Sequence, residues 1–202
     1  EIKVGTAADQ YDEFIEIYNR SGGIVPASSI KLHLVNAAGT VDFNAPLAVL
    51  ATSGNIPAYG FFLIAPITSS ASNTADAVYS TSTINSLAFS GAAYISNSTA
   101  SSTAVTDKVC WGANVGSNCE GTAASGLSAN DGTSIERKAF NSSTASTMAV
   151  GGTDATICNS VDTQNNSFDF VTRATPLPQN STATVETPSG GSYGGASNQA
   201  PS

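Results

Sequence analysis

Charge is scarce in this chain: only 11% of its 202 residues are Asp, Glu, Lys or Arg, less than half of the roughly 25% usual in soluble domains. The seven Lys and Arg are scattered among fifteen Asp and Glu, for a net charge of -8. The electrostatic footprint of a nucleic-acid binder is therefore missing, and attraction to anionic lipid is disfavoured for the same reason. No apolar run nears the roughly 18 to 20 residues that cross a bilayer, so no membrane span is expected. The residues from Glu1 onward carry no signal-peptide pattern, as expected if such a segment was removed or never included.

Histidine is almost absent too. A Ser-His-Asp triad would have to be built on His33, the one histidine. That residue lies in Ile30-Lys31-Leu32-His33-Leu34-Val35, whose alternation reads as a half-buried strand. The sequence shows no nucleophile elbow, and one His with three scattered Cys makes no spaced zinc set. No catalytic residue, cofactor or metal site is predicted, and an enzyme is not the expected class. The three cysteines, Cys110, Cys119 and Cys158, form no Cys-x-x-Cys pair. They allow one bridge with one thiol left over: Cys119 with Cys158 closes a loop of about 40 residues, and Cys110 with Cys119 one of about 10.

What is abundant is Ser and Thr, about a quarter of the chain, so the surface is hydroxyl-rich rather than ionic. Strand patterns run through most of the length. Phe14–Tyr18 and Ile30–Val35 alternate, and Tyr59–Ala65 is a short apolar run bounded by Pro57 and Pro66. Further strands are predicted at Ala75–Tyr79, Ile84–Phe89, Ala92–Ser96, Ala104–Trp111, Thr133–Phe140 and Ser167–Ala174. No amphipathic helix and no fixed-period repeat is found. Stretches such as Ser96–Thr103 and Asn141–Thr147 read as solvated loops. The spacing suits an all-β sandwich.

Asp162-Thr163-Gln164-Asn165-Asn166-Ser167-Phe168-Asp169 places carboxylates and amides at short spacing. It lacks the Gly and terminal Glu of an EF-hand loop, and reads as an Asx-type turn ahead of a strand. Sequons at Asn19, Asn97, Asn141, Asn165 and Asn180 fit exposed loops as candidate glycosylation sites, and the many hydroxyls equally suit O-linked sugar. After Pro176-Leu177-Pro178-Gln179-Asn180 the chain changes to Ser181-Thr182-Ala183-Thr184-Val185-Glu186-Thr187 and a Gly/Ser-rich end. Composition makes the last residues a flexible tail.

Several blocks in order resemble the lamin-tail domain in its bacterial form. Asp12-Glu13-Phe14-Ile15-Glu16-Ile17-Tyr18-Asn19-Arg20-Ser21 is similar to the opening strand and turn. Asp107-Lys108-Val109-Cys110-Trp111-Gly112 is similar to a late strand ending in a Trp-Gly turn, and Glu120-Gly121-Thr122 follows. Ser134-Ile135-Glu136-Arg137-Lys138 resembles the last core strand. Asp162 to Phe170 and Pro176-Leu177-Pro178-Gln179-Asn180-Ser181 also match. Together the blocks cover most of residues 1–181.

The resemblance implies an immunoglobulin-like β-sandwich with long Ser/Thr/Ala-rich loops and an extended C-terminal tail: a domain over 1–181 and a low-complexity tail over 182–202. It implies a scaffold or binding module without an active site, secreted or on the cell surface. In the family's pattern Cys110 takes a strand position that a small apolar residue would fill. The resemblance thus favours a Cys119–Cys158 bridge, with Cys110 a buried thiol. The family's first strand usually carries several apolar residues ahead of the position of Glu1, so either processing removed them or Ile2 and Val4 lie beside an incompletely covered edge.

Such an edge is a template for another strand. Thr182, Thr184 and Val185 lie in a segment with the alternation and β-branched content of an added strand, to be weighed against an intramolecular or mobile tail. The expectation is a non-catalytic extracellular structural protein, a homo-oligomer or polymer joined through sheet edges and the tail. The alternative is a monomeric secreted binding or adhesion module for a surface glycan or protein. Its recognition aromatics would be Tyr59, Tyr79, Tyr94 and Tyr193, with Trp111 in the core.

Overall fold

The computed structural model describes residues 1–50, 54–82, 84–97, 105–113, 116–125, 127 and 132–188. In chain order the first strands are Ile2–Lys3 (β1), Phe14–Tyr18 (β2), Val25–Pro26 (β3), Ile30–Val35 (β4), Val41–Pro46 (β5) and Asn55–Ile56 (β6). Phe61–Pro66 (β7), Ala77–Tyr79 (β8), Gly91–Asn97 (β9) and Val105–Trp111 (β10) follow, then Ser134–Arg137 (β11) and Phe170–Arg173 (β12). One four-residue helix, Asn166–Asp169 (α1), precedes β12. The protein is all-β.

A six-stranded sheet has the order β12-β11-β1-β2-β7-β8, and a four-stranded sheet the order β10-β9-β4-β5. Strand alternation sends every second side chain to each face. In β2, Ile15 and Ile17 point one way and Phe14, Glu16 and Tyr18 the other; in β4, Leu32 and Leu34 oppose Lys31 and His33. Ile15, Ile17, Phe62, Ile64 and Ile135 of the larger sheet meet Leu32, Leu34, Phe43, Ala93, Val109 and Trp111 of the smaller one in a single buried cluster. The two sheets thus face one another across one core.

Trp111 is 1% exposed, and its indole N–H donates to Ala88 O at 2.9 Å. The strand ends at Gly112, whose φ of +74° suits glycine; a Cβ there would lie 2.8 Å from Ser90. β7 is buried on both faces because it is central, with Phe14, Ala65, Ala71 and Leu63 forming a second apolar cluster on the outer side.

Ile84–Phe89 departs from the expected strand. It is irregular, although Ile84 and Leu87 are buried in the core. The Leu87 N–H is taken by a side chain, Glu13 Oε2 at 2.7 Å, instead of a neighbouring strand. Periodicity reports burial, and here burial comes without a ladder. β1, β3, β5 and β6 are strands the alternation did not reveal, three of them only two residues long.

Candidate assembly site

The open edge expected at Ile2 and Val4 is closed. β1 pairs with β2 on one side (Ile2 with Ile15, Lys3 with Phe14) and with β11 on the other (Ile2 with Ile135, Lys3 with Ser134). Ile2 is 4% and Val4 2% exposed. The correction has a simple cause: a strand with apolar alternate residues is most stable in the sheet interior, where both its hydrogen-bonding sides and its core face are satisfied. The true edges are β12 and β8 in the larger sheet and β10 and β5 in the smaller. Three of these four carry an exposed valine: Val78 on β8, Val105 on β10 and Val41 on β5. Bulges shorten the flat part of two of them, between Val105 and Asp107 and opposite Leu34–Val35.

The segment after β12 lies across the outer face of the larger sheet as a strap. The chain bends at the exposed Ala174 and Thr175. Three alternate backbone N–H groups then donate to carboxylates rather than to a ladder. Leu177 N–H reaches Glu1 Oε2 at 3.2 Å, Gln179 N–H reaches Glu16 Oε2 at 2.5 Å, and Ser181 N–H reaches Asp76 Oδ2 at 2.9 Å. The period of two is that of an extended chain. Asn180 Nδ2 adds a bond to Thr74 O at 2.6 Å. Glu186 N–H donates to Tyr59 O at 2.8 Å, and Tyr18 Oη donates to Glu186 O. The segment of the expected tail up to Pro188 therefore packs on its own domain. Thr182, Thr184 and Val185 are exposed and Glu186 is buried. Residues 189–202, with Tyr193, lie outside the described residues.

Beneath the strap is a layer of buried carboxyls. Arg173 Nη1 bonds Glu136 Oε2, Ser134 Oγ bonds Glu1 Oε1, and Asn159 Nδ2 donates to Glu136 Oε1 at 3.0 Å. Burial pushes Glu1 and Glu16 above the ordinary carboxyl range, and Glu186 up to about 7. Glu16 was legible only as the outward residue of an alternating strand. Nothing in the sequence marked Glu1 or Asp76 as strap anchors, because the contacts span more than a hundred residues.

The disulfide joins Cys110 to Cys119, with Cα atoms 5.1 Å apart, and Cys158 is the buried free thiol. This corrects the Cys119–Cys158 pairing. Cys110 lies on the outer face of the smaller sheet, packed with Val35 and Ala92, and the turn at Gly112 returns Cys119 to it. Cys158 sits on the far side of the molecule, with Sγ 3.2 Å from Ser160 Oγ and beside Tyr18.

The sequons divide. Asn19 is buried, and its Nδ2 donates to Gly23 O at 2.8 Å and Pro57 O at 2.9 Å. It is a turn-locking residue rather than an exposed loop site. Asn165 and Asn180 are half-buried, with side chains engaged by Thr122, Ser167, Thr74 and Thr182. Asn97 and Asn141 are exposed.

His33 lies on the strand face as expected, stacked on Tyr94 with ring centroids 4.2 Å apart and Nε2 2.9 Å from Ser96 Oγ. Desolvation lowers its pKa, followed by the Lys31 charge. In the 162–169 turn, Asp162 Oδ1 accepts from Gln164 N–H at 3.2 Å, and the Asp169 carboxylate accepts from Thr163 N–H and Oγ1. These oxygens are spent on the backbone. Among the described residues no group of three His, Cys, Asp or Glu side chains is placed to hold a metal ion.

A cavity of about 610 Å³ opens between the sheets, lined by Ile17, Leu32, Ala93, Ile95, Arg137 and Phe170 among others. Of the expected recognition aromatics, Tyr79 is buried at 3% exposure, and Tyr59 and Tyr94 are half-buried. No helix among the described residues is long and apolar enough to cross a membrane. No protein-family model matches the chain, and neither a curated protein nor a solved structure does.

Proposed function

We propose that this is a non-catalytic extracellular structural protein, a self-assembling subunit of a cell-surface filament or layer joined by strand addition. Its two facing sheets are read as an immunoglobulin-like sandwich of the lamin-tail kind. The observation that carries the reading is the pair of edge strands with exposed valines, Val41 on β5 and Val78 on β8; the edge of β10, with Val105, is occupied at Lys108 and Cys110 by Asn166 and Ala124. An uncovered edge with apolar, β-branched residues favours pairing with another chain. Low charge supports close lateral packing, and the Cys110–Cys119 bridge suits an oxidising compartment.

The test is light scattering after size exclusion, with negative-stain microscopy, across a range of concentrations. Ordered polymers are expected, and they shorten when Val41→Lys and Val78→Lys are introduced together. A single species near 20.3 kDa at every concentration overturns the reading. The cavity supports a second one, a monomeric binding module, since about 300 to 1,000 Å³ is the size of a small-molecule site; that species with a bound surface glycan or peptide would establish it.

A further inference from the structure

We infer that the strap formed by residues 176–186 is an exchangeable element, and that in the assembled protein it lies on the outer sheet face of a second copy. This rests on the assembly reading and names the segment that passes between subunits. The surface that receives the strap is complementary to it by construction. The carboxylates of Glu1, Glu16 and Asp76 take the N–H groups of Leu177, Gln179 and Ser181, and Tyr59 O takes that of Glu186. An identical chain offers the same acceptors in the same order, so every contact made within one copy is remade between two.

Three features make the strap separable. It is held by carboxyl side chains and by the loop carbonyls of Tyr59 and Thr74 and joins no strand ladder, so its departure leaves the pairing of β1, β2, β7 and β8 intact. Its connection to β12 is short and exposed, through Ala174 and Thr175. Pro176 and Pro178 follow, and each pushes the residue before it towards extended backbone. Reciprocal exchange between two copies closes a pair, and a strap passed onward to a third copy extends the assembly into an open chain.

The experiment uses two full-length chains in a Cys158→Ser background. One carries Ser181→Cys on the strap and the other Thr74→Cys on the receiving sheet, whose carbonyl takes Asn180 Nδ2. They are refolded together, assembled and treated with a short bis-maleimide. A covalent product of twice the chain mass on a denaturing gel is expected. A chain bearing both substitutions serves as the folding control, since it cross-links in either arrangement. Polymers that give no product from the mixture, while the doubly substituted chain cross-links internally, overturn the exchange but leave assembly standing. If no polymer forms and only internal cross-links appear, both readings fall.

Discussion

Glu13 is fully buried, and its two carboxyl oxygens divide their work: Oε1 accepts from Tyr79 Oη at 2.8 Å and Oε2 from the Leu87 N–H at 2.7 Å. One side chain thereby fixes β8 and the irregular 84–89 segment to the start of β2. Glu13→Ala leaves two buried donors unmatched, a loss of about 2 to 4 kcal/mol. Tyr79→Phe removes only one bond and is expected to cost about 1 kcal/mol. Urea denaturation monitored by Trp111 fluorescence measures both, and equal losses for the two variants would refute this division.

The buried carboxyls set the pH dependence. Desolvation raises Glu13, Glu120 and Glu186 to about 7 and lifts Glu16 as well, from an ordinary value of 4.5. A folded pKa above the unfolded one means that the folded state holds more protons between the two values. The resulting stability is complete below about 4.5 and is lost as pH rises through about 7. Asp12 runs the other way, lowered by hydrogen bonds from Lys3 and Ser70 that outweigh its desolvation, so its contribution fades in acid below its usual range. The melting temperature should fall between pH 5 and 8.5; a flat or rising profile contradicts the assignment.

Reduction should act on one bridge only. The loop between Cys110 and Cys119 spans nine positions, for which chain entropy gives about 2 to 3 kcal/mol. Cys119→Ser is expected to cost that much. Peptide mapping without reductant should recover the Cys110–Cys119 pair, with Cys158 reacting with alkylating agent only after unfolding. Recovery of Cys158 in a disulfide would reverse the conclusion.

The cavity gives a contrast between two adjacent alanines. Ala93 is buried at its wall, so Ala93→Leu should be tolerated or raise the melting temperature. Ala92 faces the other side, 1% exposed against Val35 and Cys110, where Ala92→Leu overpacks at a cost of about 1 to 3 kcal/mol. Differential scanning calorimetry of the two variants should show opposite or clearly unequal shifts.

How far the strands were legible depends on what each one has around it. Phe14–Tyr18 and Ile30–Val35 stand as read: each is buried on both faces over most of its length, but the outward Glu16, Lys31 and His33 keep a polar alternation with the core-facing Ile and Leu residues. Ile2–Lys3 is too short to show a period, and it lies between β2 and β11, partners far apart in the chain. Ser167 to Asp169 is a helical turn instead of strand, since Asn166 is fully buried and accepts the Cys110 N–H at 3.0 Å. That tertiary demand overrides local propensity.

Composition and alternation were sufficient for the all-β class, the core placement of Trp111 and the turn at Asp162–Asp169, because these depend on neighbours within a few residues. The tertiary structure decided which cysteines meet, where the sheet edges lie, which sequons are exposed and where the 176–188 segment rests. Each of these is a proximity between residues distant in sequence, such as Glu16 and Gln179. A period along the chain carries no information about which face of which strand another segment will cover.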